Sequence, residues 1–373
     1  MDLTFTPAHD ALRAEVRQWL AAHVPAEPLP SMDTAEGFAK HRAWERALAE
    51  ARLSVPSWPA EYGGRAAGLV EWLICEEEYW ASGAPGRVSQ NGIFLLAPTL
   101  LHWGTPEQKA RFLPKMATAE EVWAQAWSEP ESGSDLASLR ATATPDGDGW
   151  RLSGQKTWSS RAVFADWGFG LFRSDPASER HHGLTYFLFP LDAPGLTVRP
   201  IAQLDGETGF AEIFFDDVYV PSSQVLGQVG KGWSVAMATT SSERGLTLRS
   251  PGRFLAVAER LLALARESGD QTLQDAAVSA WSDAEAYRLY TWAAVARLEE
   301  GIELGPASSL MKVFWSELDL KLHELALALR GPDAALADRW MDGFLFALAG
   351  PIYAGTNEIQ RNIIAERVLG LPR

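Results

Sequence analysis

Two short segments hold the residue types from which a site for a planar, phosphate-bearing molecule can be built. Trp127-Ser128-Glu129-Pro130-Glu131-Ser132-Gly133-Ser134-Asp135 stands where a strand should turn into a loop. Its small and hydroxyl-bearing residues let backbone N–H groups approach an anion such as a phosphate. The same composition is also ordinary turn punctuation. Gln155-Lys156-Thr157-Trp158-Ser159-Ser160 offers a tryptophan that could stack on a planar ring or sit as a half-buried strand aromatic. Sixteen tryptophans in 373 residues leave much flat aromatic surface to place, in the core or against a planar ligand. The single cysteine, Cys75, cannot form an internal disulfide or a zinc cluster, so no metal site is expected and a reducing cytosol is the simplest home.

The elements that must position these segments follow from period and punctuation. The hydrophobic fraction of 47% and charged fraction of 22% are those of a globular chain, long enough for two or three structural units. Lys+Arg number 33 against 48 Asp+Glu, a net charge of −15 that weighs against tracking nucleic-acid phosphates. Residues Met1 to Thr6 lack the basic start of a signal peptide, and no apolar run approaches the roughly 18 residues of a membrane span. Ala11 to Ala22, Phe38 to Ala51 and Leu69 to Trp80 carry apolar residues at helical spacing. From about residue 122 the runs shorten and become aromatic or β-branched: Gly149 to Gly154, Trp167 to Phe172, Leu184 to Phe189, Leu196 to Ile201 and Glu212 to Phe215. They predict an antiparallel sheet ending near Val220-Pro221. Beyond Gly230-Lys231-Gly232 the helical period returns, over about 232–268, 271–300, 307–329 and 334–349, with a short last helix from Asn357. The fold class is α+β and mostly α, with domains expected at 1–121 (helical), 122–231 (β) and 232–373 (helical bundle).

Near the end stands Ile352-Tyr353-Ala354-Gly355-Thr356-Asn357-Glu358-Ile359-Gln360-Arg361-Asn362. Trp58-Pro59, Tyr62-Gly63-Gly64, Gly104-Thr105-Pro106-Glu107-Gln108-Lys109 and Ala365-Glu366-Arg367-Val368-Leu369-Gly370 join it and the two segments above. In order and spacing the set resembles the flavin-dependent acyl-CoA dehydrogenase family over most of the chain. The resemblance implies an N-terminal helical domain, a central antiparallel β domain and a C-terminal four-helix bundle, with FAD between the last two. It implies an acyl-CoA substrate, an electron-transfer flavoprotein as acceptor and a tetramer. By matching position, Trp127 and Ser128 contact the flavin, Trp158 and Ser160 flank it, and Gly133 and Ser134 stand near its pyrophosphate and the acyl-CoA chain. Thr356 and Glu358 reach the cofactor, and Tyr353 and Gly355 border the substrate.

Departures from the family pattern refine these expectations. Members that draw their base from the terminal segment carry glutamate before the Gly-Thr pair; here that residue is Ala354. Other members carry a glutamate before an arginine on the first bundle helix, which matches Ser241-Ser242-Glu243-Arg244-Gly245, with Pro251 also in place. The resemblance therefore makes Glu243 the base for the α-proton, with Arg244 holding its carboxylate or solvated on the helix face. Ala354 keeps the backbone N–H that binds the thioester oxygen. Arg266 to Leu273 lacks the Arg-x-x-Phe-Gly motif that serves a neighbouring subunit's FAD, and Leu329 to Asp333 replaces a glycine-rich segment. A homotetramer or a mixed tetramer with a related chain is expected. The expected product is a trans-2-enoyl-CoA, and the small Ala354 suggests a branched or ring-bearing acyl group. A flavin oxidase or monooxygenase on the same fold, or a subunit with little activity alone, are the alternatives.

Overall fold

The computed structural model describes residues 4–244, 250–302 and 304–372, with side chains for all of these but 241–244. Helices α1 (Pro7–His23), α2 (Ala35–Glu50), α3 (Leu69–Ala81), α4 (Ala97–Trp103) and α5 (Pro106–Ala117) come first. Strands β1 (Trp123–Ala126), β2 (Thr142–Asp146), β3 (Gly149–Ser160), β4 (Trp167–Arg173), β5 (Leu184–Pro190), β6 (Leu196–Ile201), β7 (Phe210–Pro221) and β8 (Val225–Leu226) follow. Helices α6 (Gly232–Arg244), α7 (Pro251–Arg266), α8 (Gln271–Glu299), α9 (Ser308–Arg330), α10 (Arg339–Leu348) and α11 (Asn357–Ile363) close the order. The sequence thus runs helical, β, helical, as its periodicity requires.

Local chemistry sets the ends of these elements. The Gly104-Thr105-Pro106 motif is a helix start: Thr105 Oγ1 accepts from Gln108 N (3.2 Å), and Gln108 Oε1 accepts from Thr105 N (3.1 Å). That reciprocal box, with proline at the first helical position, satisfies amides that otherwise lack partners. The helix expected over 232–268 is two helices rather than one. Ser250 is extended (φ −52°, ψ 132°) and Pro251 opens α7. The proline ring excludes helical backbone from the residue before it. The helix expected over 334–349 begins as a 3₁₀ turn, Gly331–Ala335, and becomes α-helical only at Arg339.

The chain divides into two compact units. One comprises Met1–Ala26, Ala67–Ala84 and Arg244–Arg373, and so holds α1, α3 and α7 to α11. Its core gathers Trp72, Ile74, Phe254, Leu261, Trp315 and Leu322. The other comprises Glu27–Ala66 and Pro85–Glu243, and holds the eight-stranded sheet in the order β6-β7-β3-β2-β4-β5-β8. Its neighbours are antiparallel except that β1 runs parallel to β4 and β2 meets β4 in parallel at Thr142 and Arg173. Phe172, Phe187, Phe189 and Phe215 interlock edge-to-face in its core, a geometry that aromatic quadrupoles favour.

Candidate active site

In the sheet-bearing unit, β1 delivers Trp127 and Ser128 to the start of a tight loop. Glu129 and Ser132 exchange backbone hydrogen bonds of 2.9 and 3.0 Å, and Ser128 O accepts from Thr157 N at 2.8 Å. That last bond brings the loop against β3 beside Trp158. Beneath it, Lys156 is fully buried. Its Nζ donates to Glu129 Oε1 (2.8 Å), Leu171 O (2.8 Å) and Trp127 O (3.3 Å). The Glu129 carboxylate also accepts from Arg140 N (2.6 Å) and Ala141 N (3.0 Å). Burial pushes the Lys156 ammonium below its usual range, and the Glu129 charge opposes that shift.

Trp158 stands out from this frame. The pairing of β3 with β7 shifts register between Lys156 and Ser159. At this bulge Trp158 takes a left-handed backbone (φ 59°) and leaves its side chain 59% exposed, edge-on to Phe210. A left-handed non-glycine residue costs on the order of 1 kcal/mol, and such outliers gather at functional sites. Two buried polar atoms nearby in sequence, Trp127 Nε1 and Ser159 Oγ, have no hydrogen-bond partner among the described residues. An exposed indole face and unsatisfied donors suit a flat ring with polar edges.

In the helical unit, the terminal turn is held by buried amides. Ala354 (φ 57°) and Gly355 (φ 78°) are both left-handed. Gln360 is buried, and its Nε2 donates to Ala354 O (3.1 Å) and Gly355 O (3.3 Å). Asn357 Oδ1 accepts from Lys312 Nζ (2.7 Å) and Ser316 Oγ (3.1 Å), pinning α11 to α9. The Tyr353 ring stacks on Trp315 at 5.8 Å. Thr356 caps α11, accepting from Ile359 N. The exposed Glu358 carboxyl is held below its usual range by its own amide and by the Thr356 hydroxyl.

The structure therefore gathers Trp127, Ser128, Trp158 and the half-buried Ser160 in one unit, and Tyr353 to Glu358 in the other. Gly133 and Ser134 lie exposed on the outer part of the loop, where a Cβ on Gly133 would meet nothing within 4 Å. Positions 243 and 244 end α6, but the Glu243 and Arg244 side chains lie outside the described residues. Nothing in the sequence marks Lys156, Glu129 or Ser159 as part of this frame. A lysine in a strand normally reads as exposed, and the bulge that buries Ser159 leaves no mark in the residue pattern. The segment Arg266 to Leu273 is a helix cap, in which Asp270 Oδ1 accepts from Thr272 N (2.8 Å) and Leu273 N (3.2 Å). Glu267 and Arg330, with Arg260, Arg339 and Trp340, line a shallow cleft of about 430 Å³ beside it.

Family models match the chain in three successive stretches. The acyl-CoA dehydrogenase N-terminal domain matches residues 6–120, the middle domain 124–218 and the C-terminal domain 230–369. The chain belongs to the acyl-CoA dehydrogenase family. As a member it is an oxidoreductase that dehydrogenates acyl-CoA, and members typically use FAD. It is 42% identical over 382 residues to acyl-CoA dehydrogenase IpdE1 of Mycobacterium tuberculosis, covering 98% of each chain. Among solved structures it is similar to the Tcur3481-Tcur3483 steroid ACAD (TM-score 0.88, 26% identity, 100% of both chains). It is also similar to a chain of the ChsE4-ChsE5 complex from Mycobacterium tuberculosis (TM-score 0.87, 28% identity, 100% of both chains). No helix among the described residues of this acyl-CoA dehydrogenase is long and apolar enough to cross a membrane.

Proposed function

We propose that this acyl-CoA dehydrogenase forms a trans-2-enoyl-CoA from a ring-bearing acyl-CoA, with Glu243 removing the α-proton. The observation that carries this reading is the turn at Ala354. It keeps a left-handed backbone at a residue whose methyl group cannot accept a proton, and Gln360 fixes its carbonyl. The turn is thus retained for its backbone, whose Ala354 N–H donates to the thioester oxygen and stabilises the developing enolate. The proton must then go to a carboxylate elsewhere, within about 3 Å of the α-carbon. Glu243, before Arg244 at the end of α6, is that group in the family pattern. FAD, when bound, supplies the acceptor for the β-hydrogen as hydride. In this reading Trp127, Ser128, Trp158 and Ser160 would hold its ring and Gly133 and Ser134 would serve its pyrophosphate and the acyl-CoA, while Thr356 and Glu358 are the cofactor-binding residues that the family pattern assigns to the terminal segment. Tyr353 and Gly355 border the substrate.

Glu243→Gln should lower turnover by roughly 10³-fold, within the range a general base contributes, while leaving FAD bound. Anaerobic bleaching of the flavin by substrate is the measurement, and near-normal bleaching in that variant would sink the assignment. The ring-bearing substrate rests on the steroid ACAD likeness and on the small Ala354. A panel of straight, branched and steroid-side-chain acyl-CoAs scored by bleaching tests it, and a strict preference for short straight chains counts against it. The three-part division at residues 122 and 232 belongs to the same reading, as do an electron-transfer flavoprotein as acceptor and a cytosolic location.

Assembly with a related chain is part of this proposal. The cap at Asp270 and the 3₁₀ turn at Gly331–Ala335 occupy the places of two segments with which family members grip FAD. The ChsE4-ChsE5 likeness provides a heteromeric precedent. Size-exclusion of the chain expressed alone, read by flavin absorbance, should give a species deficient in flavin that fills on adding the partner. A fully flavinated homotetramer would overturn it.

A further inference from the structure

Three hydroxyls meet in the interior of the sheet-bearing unit, each from a different element. Thr99 of α4, Tyr186 of β5 and Thr239 of α6 are at most 1% exposed. Thr99 Oγ1 and Thr239 Oγ1 are 2.8 Å apart, and Tyr186 Oη lies 3.3 Å from Thr239 Oγ1. Thr99 Oγ1 also reaches Leu95 O (3.1 Å), and Thr239 Oγ1 reaches Val235 O (3.2 Å). Among the described residues these contacts draw on the three hydroxyl protons. One continuous arrangement satisfies each hydroxyl: Tyr186 donates to Thr239, Thr239 to Thr99, and Thr99 to Leu95 O. The Trp127 and Tyr186 rings meet at right angles and Phe169 stacks parallel to the tyrosine, so the tyrosine is fixed before it reaches α6.

The neighbouring residue of β5 grips the same helix at its start. Thr185 Oγ1 accepts from Gly230 N (2.9 Å). A Cβ on Gly232 would lie 2.7 Å from the Thr185 carbonyl carbon, so α6 begins in direct contact with the β5 backbone. Two grips seven residues apart, one steric at Gly232 and one polar at Thr239, fix both the advance and the rotation of α6. Position 243 is the next turn beyond the second grip, on the same face.

We infer that Tyr186, Thr239 and Thr99 are positioning residues, a hydroxyl chain that sets the registry of α6 and with it the place of residue 243. The inference rests on the reading of Glu243 as the base. A group displaced by a fraction of an ångström from its reacting atom loses rate without losing substrate binding. The chain is therefore expected to act on kcat and to leave KM alone.

The test separates hydroxyl from volume at one position in the flavin-loaded enzyme, using the acyl-CoA that bleaches its flavin fastest. Thr239→Val keeps the shape and removes the hydroxyl, and Thr239→Ser keeps the hydroxyl. We expect Thr239→Val to lower kcat about tenfold with KM within about twofold and flavin content unchanged, and Thr239→Ser to restore kcat to within about twofold. Equal kcat in the two variants, or a lowered melting temperature in Thr239→Val with wild-type kcat, overturns the inference. If Thr239→Val does not fold, Tyr186→Phe carries the test: lowered kcat at constant KM supports the chain, and unchanged kcat overturns it. Failure of the base reading is seen separately, as bleaching that survives Glu243→Gln whatever Thr239 does.

Discussion

The loop under Trp127 and the turn at Ala354 are both held by side chains reaching backbone carbonyls, but by groups of different character. Under Trp127 the clamp is a buried ammonium, Lys156, balanced by the Glu129 carboxylate. At Ala354 the clamp is the neutral amide of Gln360, and the charge nearby in sequence, Glu358, is exposed. A buried charge pair punishes removal of one partner far more than loss of both, because the survivor is left without a counter-charge. An amide clamp fails by about the value of its hydrogen bonds. The first region is thus expected to behave as all-or-none, and the second as adjustable.

Lys156→Met is the harshest way to break the comparison. It should destabilise the sheet-bearing unit by about 3–5 kcal/mol, whereas Lys156→Met combined with Glu129→Gln should recover most of that loss. Urea unfolding of both variants checks this, and a double variant no better than the single one would remove the charge argument. Ala354→Gly is a milder probe of the other region. Left-handed backbone costs an L-residue roughly 1–2 kcal/mol, and the extra freedom of glycine in the unfolded chain returns about half of it. A gain of about 0.5 kcal/mol in urea is expected, and a loss would show that the turn is not strained. The smallest effect is electrostatic. The folded Glu358 carboxyl is held below its ordinary value of 4.5, so its contribution is present above that value and is lost as pH falls through the folded value. Acid titration of stability should therefore be shallower in Glu358→Gln, and identical slopes would discount the Thr356 cap.

Legibility followed the kind of physics at each place. The order of helical and strand-rich stretches was readable because it is carried by periodicity, and α1 to α3 lie where apolar residues recur at helical spacing. The break at Ser250 is legible in Pro251, whose ring excludes helical backbone from the residue before it, and a single segment over 232–268 gives that proline too little weight. The parallel pairing of β1 with β4 is a long-range choice that no local residue encodes. At the candidate site, Trp158 was legible as an aromatic to be placed, yet its left-handed backbone and its exposure come from a bulge set by the register of β3 against β7. Lys156 shows the limit most clearly, since only the assembled sheet reveals three acceptors waiting in its interior.

The close approach of Gly232 to β5 makes α6 a ruler with a fixed zero. At about 1.5 Å of rise and about 100° per residue, position 239 returns to the azimuth of 232 within about 20°, and so does 243. Position 243 then falls about 16.5 Å from the zero mark, at nearly the azimuth of Gly232. One place along a helix turns the azimuth by about 100°, so on the reading of Glu243 as the base a carboxylate moved by one place is expected not to replace it. On the reading of Glu243 as the base, inserting or deleting a single residue between Gly232 and Glu243 is expected to turn the scale by the same angle and abolish flavin bleaching by substrate while leaving every functional side chain in the sequence.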